Sequence, residues 1–259
     1  MNVLVFDIET VPDVAGARRL WALDGLSDAD VARVMATRRQ QETNGATDFP
    51  RHHLHRIVAI SLVLRSDERL KVWSLGDVEA SEADLSHRFF DGIERYTPTL
   101  VSWNGGGFDL PVLHYRALLH GVPAPRYWDT GADDSSFRWN NYLNRFHERH
   151  TDLMDVLGAY QPRAAAPLDQ IAMLLGFPGK LGMDGSAVFD AFQAGHIQAI
   201  RDYCETDVLN TYLIYLRFEL LRGHLPAAAH QAELQRLRDY LAAEQRPHFT
   251  AFLDAWQTL

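Results

Sequence analysis

Val3-Leu4-Val5-Phe6-Asp7-Ile8-Glu9 is the stretch on which the fold turns. An apolar run interrupted only by Asp7 predicts a central strand covered on both faces. A carboxylate inside such a strand is costly unless something pairs with it. Asp7 and Glu9 are two apart, so both point to one side of the strand. Two like charges so placed raise each other's pKa, and a divalent cation between them reverses that effect. The bland alternative is a strand end running into solvent.

Downstream, 57–64 and 70–75 read as two more strands, joined by the polar hairpin Arg65-Ser66-Asp67-Glu68-Arg69. With the first strand they predict an antiparallel meander. Glu82–Tyr96 reads as a helix with Leu85, Phe89 and Ile93 on its packed face. A fourth strand at 99–103 runs into Asn104-Gly105-Gly106-Gly107-Phe108-Asp109 and then a helix to His120, with Pro111 in the first turn. The glycines allow close backbone approach, but their spacing matches neither a dinucleotide fingerprint nor a P-loop. Asp109 falls near the helix N-terminus. A fifth strand is expected at 152–157, with Asp152 and Asp155 facing opposite ways and suited to capping or supporting a ligand rather than to holding metal. The sum is an α/β protein with a mixed five-stranded sheet flanked by helices.

The later chain supplies a long helix, 196–222 by its apolar periodicity. Tyr203 and Asp207 are four apart and share one face about a turn apart. Helices opened by Pro226 and Pro247 follow, a C-terminal extension over 223–259 packed on a domain spanning 1–222. Within that domain 12–50 reads as a helical insertion after the first strand, with Ser27 and Asp30 in a capping box. Arg51-His52-His53-Leu54-His55-Arg56 lacks the partner cysteines and helical spacing of a zinc site. It reads as a surface turn, with or without phosphate contact. The segment 126–150 interleaves arginines and aromatics, Arg145 among them, a composition suited to a single nucleic-acid strand. Its alternative is a covering loop whose rings pack inward. Ser186 is expected to cap the helix after the 176–185 loop. That loop carries Lys180, placed to reach a substrate phosphate or simply to sit at the surface.

A hydrophobic fraction of 47% and a charged fraction of 23% are ordinary for a globular chain. The single cysteine, Cys204, excludes an internal disulfide framework. No apolar run is long enough to span a bilayer, and the first residues lack a signal-peptide pattern. The expectation is a soluble cytoplasmic protein with no membrane partner; its oligomeric state is open. A net charge of −9 argues against gripping duplex through a broad basic surface.

Asp7-Ile8-Glu9, Asn104-x-x-x-Phe108-Asp109 and Tyr203-x-x-x-Asp207 occur in that order. Together they resemble the three motifs of the DEDD 3′–5′ exonucleases, in the branch with tyrosine in the third motif. The histidine branch would carry its histidine where this chain has Asp202. The stretches 149–155, 176–185 and 202–207 look like the bacterial predicted 3′–5′ exonucleases related to the proofreading domain of family B DNA polymerases. The resemblance covers about residues 2–222 and implies an RNase H-like sheet. It implies hydrolysis at the 3′ end of single-stranded DNA, or less readily RNA, by a two-metal mechanism with Mg²⁺ or Mn²⁺. Asp7, Glu9 and Asp207 would hold one ion, and Asp7 would bridge to the second with help from Asp109. Tyr203 would orient the attacking water, and Asn104 and Phe108 would meet the terminal nucleotide. The rivals are a structure-specific endonuclease of the same fold and a catalytically silent nucleic-acid-binding adaptor.

Overall fold

The computed structural model describes residues 2–67 and 69–256. The chain opens with β1 (Val3–Pro12), then α1 (Val14–Trp21) and α2 (Asp28–Glu42). β2 (His55–Arg65) and β3 (Leu70–Ser74) follow, then α3 (Glu82–Tyr96), β4 (Thr99–Ser102), α4 (Asp109–His120) and α5 (Pro125–Trp128). Next come β5 (His150–Asp152), α6 (Leu153–Leu157), α7 (Leu168–Leu174) and α8 (Val188–Gln193). The last elements are α9 (Ile197–Leu221), α10 (Ala227–Glu244) and α11 (Pro247–Ala255). No helix among the described residues is long and apolar enough to cross a membrane.

The five strands form one mixed sheet in the order β3-β2-β1-β4-β5. β1, β2 and β3 pair antiparallel, and β4 and β5 run parallel to β1. This is the expected combination of a meander with two parallel strands. Period-2 alternation sorts β1 between two layers. Leu4, Phe6 and Ile8 pack with Phe89, Ile93 and Leu113 of α3 and α4. Val3 and Val5 pack on the opposite face with Val208, Leu209 and Tyr212 of α9. Asp7 and Glu9 continue that second row, so the alternation carries both carboxylates to the α9 side.

α9 is enclosed by the sheet and by α7, α8, α10 and α11, and 18 of its 25 residues are buried. Leu237, Leu241, Phe249, Phe252 and Trp256 of α10 and α11 belong to the same core as its second half. The residues between β1 and β2 carry their own small core, Ala17, Val31, Met35 and Leu54. The Ser27 cap is present: its hydroxyl accepts from the Asp30 N–H at 3.1 Å.

Two local expectations are corrected, and a third is divided. The fifth strand is His150–Asp152, and the residues expected to continue it form α6 instead. Asp152 stops the strand, because its carboxylate caps that helix by accepting from the Met154 and Asp155 N–H groups. Asp184, not Ser186, caps the turn before α8: its carboxylate accepts from the Ser186 N–H at 2.8 Å. The aromatics of 126–150 divide. Tyr127, Phe137 and Tyr142 are buried, while Trp128, Trp139 and Phe146 are exposed. The inward-packing alternative therefore holds for half of them.

Candidate metal centre

β4 ends at Ser102, whereas β1 runs on to Pro12. Pairing of β1 with β4 ends at Val5, so Asp7 and Glu9 lie beyond it, at the carboxyl edge of the parallel strands where α/β sheets place ligand sites. The sheet register also shifts between Glu9 and Thr10, a bulge of the kind that re-aims side chains beside functional sites.

The loop 104–107 that follows β4 is drawn tight. A Cβ at Gly105 would collide with the Ser102 side chain, and one at Gly107 with the Asn104 amide. Asp152 straps the loop down, accepting from the Asn104 N–H at 2.9 Å and the Gly106 N–H at 2.8 Å. The loop then delivers Asp109 as the first residue of α4, where its Oδ1 accepts from the Ile8 N–H at 3.1 Å. From the other side, α9 presents Tyr203 and Asp207.

Three distant segments thus converge. Asp7, Glu9 and Cys204 each offer a ligand atom within 4.8 Å of the others. The Cys204 thiol donates to the Asp7 carbonyl at 3.5 Å and to its Oδ2 at 3.6 Å. Glu9, Asp109 and Asp207 are only 9%, 4% and 6% exposed.

The electrostatics are those of uncompensated charge. Burial drives the Asp7 carboxyl well above its ordinary pKa, and the charges of Asp109, Glu9 and Asp207 add to it. Glu9 is raised by burial and then by Asp207 and Asp109, with Lys180 opposing. Burial lifts Asp109 to about 7 against the pull of backbone N–H groups. Burial lifts Asp207 to about 6 against the Tyr203 hydroxyl and Lys180. Asp207 Oδ1 is buried with no hydrogen-bond partner among the described residues. A buried anionic oxygen without a donor is costly. Carboxylate oxygens such as those of Asp7 and Glu9 are the donors a hard divalent cation takes, and such an ion would offset that cost. The residues present fit such an ion.

The other expected site residues separate. Asn104 sits in the left-handed region at φ 63°, at the start of the glycine loop. Phe108 precedes Asp109 and meets a ring cluster of Phe49, His52 and His55. Lys180 is exposed, yet its charge reaches Glu9 and Asp207. Arg145 is engaged elsewhere: it donates to Asp155 at 2.9 Å and lies over the Phe146 and Tyr160 rings. The three histidines of 51–56 are separately engaged too. His55 Nε2 donates to the Pro50 carbonyl, which leaves Nδ1 to accept from Thr10. His52 faces the Gly107 carbonyl, and His53 the Tyr115 ring. Sequence reasoning missed the Cys204 thiol on Asp7 and the full reach of Asp152. A strand-terminal aspartate is a readable capping signal, but its hold on a loop 46 residues upstream is not.

Residues 47–256 match the model of a family described as a predicted 3′–5′ exonuclease related to the exonuclease domain of PolB. The match begins after β1, so Asp7 and Glu9 lie outside it. The catalytic polypeptide of DNA polymerase epsilon from Schizosaccharomyces pombe is 23% identical over 148 residues, which cover 54% of this chain and 6% of that protein. The family B DNA polymerase of the archaeon Pyrobaculum calidifontis aligns in structure at a TM-score of 0.48 and 18% identity, covering 82% of this chain and 24% of the polymerase.

Proposed function

We propose that this chain, which belongs to the family of predicted 3′–5′ exonucleases related to the exonuclease domain of PolB, is a metal-dependent enzyme removing nucleotides from the 3′ end of a single strand. The observation that carries the reading is the convergence of Asp7, Glu9, Asp109 and Asp207 with one buried Asp207 oxygen left unpartnered. DNA is favoured over RNA because the polymerase matched in sequence is a DNA polymerase.

Asp7, Glu9 and Asp207 would hold one cation and Asp7 with Asp109 a second, Mg²⁺ or Mn²⁺ in each case. Such ions supply charge stabilisation to the attacking, leaving and non-bridging phosphate oxygens of an in-line displacement. The protein does the rest. Asp152 fixes the glycine loop and so the start of α4, which sets where Asp109 points. The Ile8 N–H orients the Asp109 carboxylate. Burial and the charges of Asp207 and Glu9 push the Tyr203 phenol far above its usual pKa, so it stays protonated. A permanently protonated phenol orients an attacking water and does not act as its base. On this reading the chain is of the tyrosine branch of the DEDD exonucleases. Asn104 and Phe108 meet the terminal nucleotide, and Lys180 a phosphate.

The test is a 5′-labelled single strand incubated with Mg²⁺ or Mn²⁺. A ladder shortening from the 3′ end is expected, abolished by a blocked 3′ terminus. A strand left intact, or scission of a circular single strand, would overturn the proposal.

A further inference from the structure

The ring cluster around Phe108 includes a residue with no place in the chemistry above. Phe49, in the segment joining α2 to β2, is 52% exposed. Its ring centroid lies 5.5 Å from Phe108 and 4.7 Å from His55. Phe108 adjoins Asp109, so the exposed Phe49 ring is one ring contact away from the residue that precedes a site carboxylate.

The backbone that carries that ring is tied down. The Arg39 Nε of α2 donates to the Phe49 carbonyl at 3.1 Å, and the Phe49 N–H donates to the Thr47 hydroxyl at 3.1 Å. His52 Nε2, 2.9 Å from the Gly107 carbonyl, docks the segment onto the glycine loop. An exposed ring on a tethered backbone, packed against His55 and Phe108, is not a loosely packed core residue.

A cleft of about 530 Å³ opens beside it, lined by Arg39, Arg51, His52, His53 and Tyr115 along with Phe49 itself. Its ionic balance is positive. Arg39 and Arg51 both pair with the single carboxylate of Glu42, at 3.3 Å and 3.0 Å. Two guanidinium groups share one anion, and the Arg51 side chain is 57% exposed. The surplus lies on one side of the ring: the pocket on its other side is lined by Asp48 and Asp190. In a chain whose net charge is −9, an exposed ring with cations along one side matches what a single strand needs: a face for a base and charge for its phosphate.

We propose that Phe49 is a base-stacking platform for a nucleotide upstream of the 3′-terminal one, with Arg51 and Arg39 meeting the adjoining phosphate. The platform rests on the proposed exonuclease function and marks the path by which the strand leaves the site. It also gives the α2 segment a role: α2 lies outside the family match, which starts at residue 47, and supplies one wall of the cleft through Arg39.

The experiment places 2-aminopurine in turn at each of the last four positions of a short single-stranded DNA. Fluorescence is followed on binding to the full chain with Ca²⁺ in place of Mg²⁺. Stacking quenches this base. With wild type, at least one position upstream of the terminus is expected to quench. In Phe49→Ala that quench should vanish, and affinity should fall roughly 5- to 150-fold, the range of one base–ring stack. Phe49→Tyr, which keeps the ring, should restore both, and unchanged circular dichroism would show that Phe49→Ala is folded. If wild type shortens strands from the 3′ end but Phe49→Ala quenches and binds as wild type does, the platform is wrong and the exonuclease reading stands. If wild type neither binds nor cuts a strand, the functional reading itself falls and takes the platform with it.

Discussion

Glu205 and Asp207 stand two residues apart on α9, both buried, at 1% and 6% exposure, and their surroundings are opposite. Glu205 is saturated: it accepts from Ser74 at 2.8 Å, faces His248 at 2.9 Å and pairs with Arg246 at 2.7 Å. These partners outweigh burial and hold its pKa below the ordinary carboxylate value. One turn before it, Arg201 donates to the carbonyls of Ser74, Leu75, Gly76 and Asp77. Asp207 has the Tyr203 hydroxyl and the remote Lys180 for relief, one orphaned oxygen, and a pKa raised to about 6. One face of the helix ties α11 and the β3 end to the fold. The other holds charge that the protein leaves unanswered. A buried carboxylate is therefore evidence of a site only when its partners are missing.

The largest effect should separate the two faces outright. On the proposed reading Asp207→Asn is expected to cut kcat by roughly 10²–10³-fold or more, because it would remove a cation ligand worth several kcal/mol. The same change should leave the thermal midpoint of the metal-free protein level or higher, since it removes an uncompensated charge. Steady-state kinetics and thermal unfolding read both quantities.

Tyr203→Phe comes next, at about 10²-fold in kcat with KM nearly unchanged, the signature of lost positioning. A change confined to KM would move Tyr203 from the reacting water to substrate binding.

Glu205→Gln should do the reverse of Asp207→Asn. Breaking a sealed ion pair costs about 3–5 kcal/mol, and here the Arg246 side chain is 29% exposed, so about 2 kcal/mol is expected. Denaturant unfolding measures it, and kcat should stay at the wild-type level.

The smallest effect is a pH dependence. Asp109 and Asp207 have folded pKa values raised to about 7 and 6 from 3.8. The folded state binds the extra protons, so this contribution to stability is whole below about pH 4 and is lost as pH rises through 6 to 7. On the proposed reading a divalent cation would replace those protons. Mg²⁺ should therefore raise the melting temperature by a few degrees more at pH 8 than at pH 5, and the difference should shrink in Asp207→Asn.

Much of this contrast was legible in the sequence. The alternation of Val3 to Glu9 fixed both the strand and the shared side of its two acids, because period 2 leaves no other choice. The four-residue spacing of Tyr203 and Asp207 fixed their common face in the same way. What could not be read was which buried acids would find partners. Glu205 sits in the same short stretch as Asp207, and its saturation depends on Ser74, Arg246 and His248, brought in by tertiary packing. The same holds for Arg145: its ion pair with Asp155 and its place over two rings depend on tertiary packing that its own stretch does not announce. The fifth strand was displaced by a side chain, since the same Asp152 that ends it also caps α6 and clamps the glycine loop.

Uptake of Mn²⁺, followed by the loss of its free-ion electron paramagnetic resonance signal, bears most directly on the unanswered carboxylates of β1, α4 and α9. Wild type should take up about two equivalents, Asp207→Asn fewer and more weakly, and Glu205→Gln as many as wild type. Equal uptake by wild type and Asp207→Asn, or none by either, would contradict the assignment of that cluster as a cation site.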